Sequence, residues 1–69
     1  MFQISLKAAR VNCDMSQKEV AKELGVDVST IINWEKGKTA PRVDQLQELC
    51  RIYDVPIDRV FFNSEVRFK

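Results

Sequence analysis

At 69 residues the chain is one small domain, near the lower limit for burying a hydrophobic core without disulfides or metal, so that core has to be simple. With 45% hydrophobic and 30% charged residues it has the balance of an ordinary soluble globular protein, and no apolar run approaches the ~20 residues of a membrane span. A net charge of +1 is a weak global signal for a nucleic-acid partner, and the complete lack of histidine removes the usual zinc spacings and all His-based acid-base or nucleophilic chemistry.

The N-terminal stretch Met1-Phe2-Gln3-Ile4-Ser5-Leu6 carries no basic region, long apolar segment and cleavage site in succession, so a cytoplasmic location is expected. Leu6, Ala9, Arg10 and Cys13 recur at helical spacing and predict a first helix with one charged intruder, Arg10, on its apolar face. Asp14 can end it, because aspartate tolerates the left-handed region. Cys13 and Cys50, the two cysteines, both occupy apolar positions of helical patterns and read as reduced core thiols rather than a disulfide.

Ser16-Gln17-Lys18-Glu19 is a capping box that starts a second helix, with Met15 and Val20 as a hydrophobic staple and Val20, Ala21 and Leu24 facing inward. Gly25 suits the positive φ that follows a helix. Asp27 offers a side-chain oxygen as N-cap of a third helix, Val26 and Ile31 repeat the staple, and Ile31 with Trp34 point to the core. After Gly37 comes the loop Lys38-Thr39-Ala40-Pro41, and Val43, Leu46, Leu49, Cys50 and Tyr53 mark a fourth helix. Pro56 opens an expected fifth, with Ile57, Val60 and Phe61 as its buried face and Val55 and Val60 as its staple. The alternation Val66-x-Phe68 fits a strand and a frayed tail equally.

Two short helices joined by so tight a turn must cross steeply, and the second is left projecting from the surface. Ala21 is the small side chain that such a crossing needs; Gly25 makes the turn, and Val20, Leu24, Val26, Ile31 and Trp34 form the apolar wedge beneath. With Ile31 and Trp34 buried, Val28, Ser29, Ile32 and Asn33 lie on the opposite side of the third helix. Their chemistry suits base edges: Asn bonds bidentately to adenine, Ser pairs with several bases, and Val or Ile packs on thymine methyls. Gln17 sits in the first turn of the second helix, where free N–H groups and the positive dipole end favour a phosphate. Thr30, Lys36, Lys38 and Arg42 complete the candidate backbone contacts, and Asp27 opposes them with a negative charge. Lys7, Lys18 and Lys22 fit solvated charges as readily as phosphate contacts. Charge is skewed toward this end of the chain: residues 1–42 hold seven Lys/Arg against five Asp/Glu, residues 43–69 four against five.

From Ile4 to Phe62 the chain resembles the Cro/repressor-type helix-turn-helix family, the phage lambda repressor-like and Xre-like regulators. The resemblance is carried by Arg10, Met15-Ser16-Gln17, Val20-Ala21, Leu24-Gly25-Val26, Ile31, Trp34-Glu35-Lys36-Gly37-Lys38, Pro41 and Tyr53-Asp54-Val55-Pro56-Ile57-Asp58-Arg59-Val60-Phe61. It implies an all-α, compact five-helix DNA-binding domain with its helix-turn-helix at helices 2 and 3, major-groove operator binding as a homodimer, no cofactor and no catalysis. The recognition helix would run from about Asp27 to Lys36. It also implies a buried ion pair between Arg10 and Glu35. In related phage repressors a glutamine at the position of Gln17 braces a polar side chain at the start of the recognition helix, and Val28 cannot accept that bond.

The domain expected from these readings is residues 1–62, with 63–69 a C-terminal tail. Phe61, Phe62, Val66 and Phe68 offer more apolar surface than so small a core can bury, which makes this end the candidate dimer contact. A different function class keeps the same fold as a protein-interaction module, motivated by near-neutral charge and the apolar Val28 and Ile32. An enzyme is disfavoured: without histidine, a glycine-rich phosphate loop or a metal-ligand cluster, the chain has neither the groups nor the length to wall off a small-molecule substrate.

Overall fold

The structure, a computed structural model, describes residues 4–61. Four α-helices occur among them: α1 (Leu6–Asn12), α2 (Gln17–Leu24), α3 (Val28–Lys36) and α4 (Val43–Tyr53). Two strands of two residues each, β1 (Ile4–Ser5) and β2 (Val60–Phe61), pair in parallel and set Ile4 opposite Val60.

Local signals fix most of the boundaries. Ser5 caps α1 by accepting from the Ala8 N–H, and at α2 both halves of the capping box form: Glu19 N–H to Ser16 Oγ at 3.0 Å and Ser16 N–H to Glu19 Oε1 at 2.7 Å. Each helix is followed by a residue with positive φ, namely Asp14, Gly25, Gly37 and Asp54. At Gly25 (φ +74°) the chain reverses while the Val26 N–H bonds back to the Ala21 carbonyl at 3.0 Å, a ring that satisfies a carbonyl the helix end would otherwise leave open. A Cβ built on Gly25 meets nothing within 4 Å. Gly25→Ala is therefore expected to cost only the left-handed penalty, about 1–2 kcal/mol, in a urea unfolding curve; a larger loss would reveal a clash the turn does not contain.

The core forms where the helices converge. Ile4, Leu6, Ala9, Val20, Ala21, Ile31, Trp34, Leu49 and Tyr53 are its buried members, with Met15, Leu24, Val26 and Val28 packed against it from the flanks. α2 and α3 make the most extensive contact in the domain, with Ala21 buried. Cys50 is buried, which pushes its thiol up, and the partly buried Cys13 donates to the Tyr53 carbonyl at 3.3 Å; both are free cysteines. Burial, chiefly, also raises the Tyr53 phenol.

Four expectations need correction. The fifth helix is a single 3-10 turn, Ile57–Arg59, because the chain straightens at Val60 to pair with Ile4. Ile57, expected in the core, is 43% exposed, and Val43, at the first position of α4 and beyond the core that the helix covers, is 70% exposed. Asp27 stands at the N-cap of α3 without a side-chain cap bond: the Thr30 N–H it would have accepted donates instead to the Asp27 backbone carbonyl at 3.0 Å. The Phe61 side chain, Phe62, Val66, Phe68 and the whole tail 63–69 lie outside the described residues, and the dimer contact expected there with them.

Candidate nucleic-acid interface

α3 is the projecting element. Its inner face is held by Ile31 and Trp34, at 1% and 4% exposure, and Gly37 (φ +80°) ends it with the Lys38 N–H returned to the Asn33 carbonyl at 3.0 Å. On the outer face Ser29 is exposed and Ile32 and Asn33 are half-buried. Val28 is half-buried too and packs against the core, so its methyls are divided between the wedge and the surface. Thr30 is half-buried on the flank.

Ile32 opens onto a cleft that it lines together with Lys7 of α1, Gln17 of α2, and Glu35 and Lys36. The cleft joins three helices, and three of its lining residues, Gln17, Ile32 and Lys36, are ones sequence reasoning assigned to a nucleic acid. Lys7, which the sequence left equally open to solvent and to a phosphate, also lines it. Nothing in the spacing of α1 distinguishes it from a solvated lysine; only the packing of α1 beside α3 brings it to this cleft.

Beneath the cleft lies a hydrogen-bonded ion pair. Arg10 Nε donates to Glu35 Oε2 at 2.7 Å and Nη2 to Oε1 at 3.3 Å, with side-chain exposures of 11% and 5%. Arg10 Nη1 donates to the Met15 carbonyl at 2.8 Å, which ties the pair to the turn before α2. Gln17 Nε2 donates to Glu35 Oε1 at 3.0 Å. Gln17 thus braces the C-terminal half of α3 through Glu35, and this occupies one of the two amide protons expected to meet a phosphate. The bond to Glu35 holds the Arg10 guanidinium above its ordinary range, so it stays charged at any accessible pH. Since Glu35 is neutralised from inside, Lys7 and Lys36 set the sign of the cleft. No ion pair to either lysine occurs among the described residues.

Lys38 is exposed beyond the end of α3. Arg42, at the start of α4, reaches Asp44 at 3.3 Å, and the hydrogen bond from Arg42 lowers the Asp44 carboxyl. Both side chains are about three-quarters exposed, at 75% and 73%, so a pair worth little in water can be exchanged for a phosphate. No cluster of three or more His, Cys, Asp or Glu side chains suited to a metal occurs among the described residues, and no described helix is long and apolar enough to cross a membrane.

Comparison with known proteins gives the same segment. The family model described as helix-turn-helix matches residues 6–60. The chain is 35% identical over 65 residues to the cryptic phage CTXphi transcriptional repressor RstR of Vibrio cholerae, covering 94% of this chain but only 59% of that protein. It is 33% identical over 60 residues to an uncharacterized HTH-type transcriptional regulator of Archaeoglobus fulgidus, with 87% and 84% of the two chains aligned. Over 50 residues it is 40% identical to the antitoxin HigA1 of Mycobacterium tuberculosis, covering 72% of this chain and 34% of the relative. No solved structure matches it significantly.

Proposed function

We propose that this chain, which belongs to the Cro/Xre-type helix-turn-helix family, is a sequence-specific double-stranded DNA-binding regulator that represses transcription as a cytoplasmic homodimer on an operator. The observation that carries the reading is the cleft where Ile32, Gln17, Lys7 and Lys36 meet, because it sets groups that neutralise phosphate beside the outer face of α3. α3 enters the major groove with Ser29, Ile32 and Asn33 on base edges and Val28 in a lesser part. The Gln17 and Lys18 N–H groups at the start of α2, with Lys7, Thr30, Lys36, Lys38 and Arg42, hold the sugar-phosphate backbone. Residues 1–62 form the reading domain and the tail 63–69 serves the dimer. Repression, rather than activation, follows the relative named a repressor, whose alignment takes in nearly the whole chain.

Each neutralised phosphate steepens the fall of log affinity with log salt by about 0.9, so a binding titration across salt should be steep. Asn33→Ala should weaken the operator complex by about 1–3 kcal/mol and leave nonspecific duplex binding unchanged. A flat salt response, or equal losses on operator and random duplex, would reject this function.

A further inference from the structure

The open start of α3 holds a pair of side chains that none of the above uses together. Ser29 and Asp27 are both exposed, and Ser29 Oγ donates to Asp27 Oδ2 at 2.8 Å. Asp27 makes no cap bond with its side chain, so its carboxylate is not committed to holding the helix. A serine hydroxyl has one proton to donate and two lone pairs that accept. With the proton given to Asp27, what Ser29 turns outward is an acceptor.

Major-groove edges differ in this respect. Adenine N6 and cytosine N4 donate, whereas guanine O6 and N7 and thymine O4 accept. We propose that Asp27 is a positioning residue for specificity: by holding the Ser29 proton it restricts Ser29 Oγ to acceptance, and so selects adenine or cytosine over guanine or thymine as the base on the strand that Ser29 faces. The inference rests on α3 being the major-groove element. It also explains why a negative charge stands at the edge of a surface built to meet phosphates. That charge weakens binding to every duplex alike while the hydrogen bond sharpens one position.

The two effects separate by substitution. Asp27→Ala removes the charge and the proton acceptor; Asp27→Asn removes the charge and keeps a side-chain oxygen that can accept. Selection from a pool of duplexes randomised across the site should give, for the wild-type protein, one position per half-site favouring adenine or cytosine over guanine or thymine by about five- to tenfold, the low end for a base contact. Ser29→Ala should flatten that position. Asp27→Ala should admit guanine and thymine there, because the freed hydroxyl can donate, and Asp27→Asn should keep the wild-type preference while binding all duplexes more tightly. A thermal melt of Asp27→Ala close to wild type is expected, since no cap bond is lost.

An Asp27→Ala profile identical to wild type would overturn the proposal, as would Asp27→Asn behaving like Asp27→Ala, or a position indifferent to Ser29→Ala. These outcomes leave a consensus at the other positions and so spare the assigned function. A wild-type protein that enriches no sequence at all would defeat that function and this inference with it.

Discussion

Arg10→Met should lower the free energy of unfolding by about 3–5 kcal/mol, the cost of removing the cation from a buried hydrogen-bonded pair. A chain of this size holds roughly 0.05–0.15 kcal/mol per residue, so the loss takes a large share of its stability. Glu35, 5% exposed, would lose the guanidinium that now offsets its charge while keeping the Gln17 amide, and the Met15 carbonyl would lose the Arg10 Nη1. The second substitution decides what the pair contributes. If the cost is mainly the Glu35 charge left without the guanidinium, Arg10→Met with Glu35→Leu should be more stable than Arg10→Met alone, and a double-mutant cycle by chemical denaturation measures the coupling. Recovery should be incomplete, because Gln17 and the Met15 carbonyl remain without their partners. An unchanged midpoint for Arg10→Met would show that the pair holds nothing.

How far this network could be read beforehand depends on range. Ser16 and Glu19 are three residues apart, and the capping box they form is a local pattern whose signal survives in the bare sequence. The same holds for Gly25 and Gly37, where only positive φ lets the chain leave the helix. Gln17 and Glu35 stand 18 positions apart on different helices, and no periodicity links them; their bond exists because α2 and α3 cross where Ala21 allows it. Asp27 failed as a side-chain cap for a competitive reason, since the backbone carbonyl of the same residue takes the Thr30 N–H. The expected fifth helix had Pro56 and a staple in its favour, but an extended pairing of Val60 with Ile4 across the whole chain outweighed a helix only a few residues long. The family resemblance read from motifs along the chain holds over residues 6–60. What it left open was chemistry at single positions, such as the Ser29 proton.

Trp34→Ala should cost about 3–5 kcal/mol, a large share of the stability of a chain this size, and raise its unfolded fraction at 25 °C. α3 has nine residues, well under the length at which a helix is stable alone in water, so it persists only while its inner face is packed. Ile31 and Trp34 are that face, and Trp34 is the larger of the two anchors. Removing it therefore takes away the helix that presents Ser29, Ile32 and Asn33, although Trp34 touches none of the proposed bases. Far-UV circular dichroism should record loss of helix, and binding should fall with it. Trp34→Phe keeps most of the apolar volume and should preserve both the cooperative melt and DNA binding. Saturating operator duplex should partly restore the Trp34→Ala helix signal, because a ligand that binds only the folded state stabilises it in proportion to the logarithm of its concentration over Kd. Restoration by operator but not by random duplex at the same salt would show that the surface Trp34 supports is the one that reads sequence. A Trp34→Ala protein that melts within about 1 kcal/mol of wild type would mean that α3 is held by something other than its buried face.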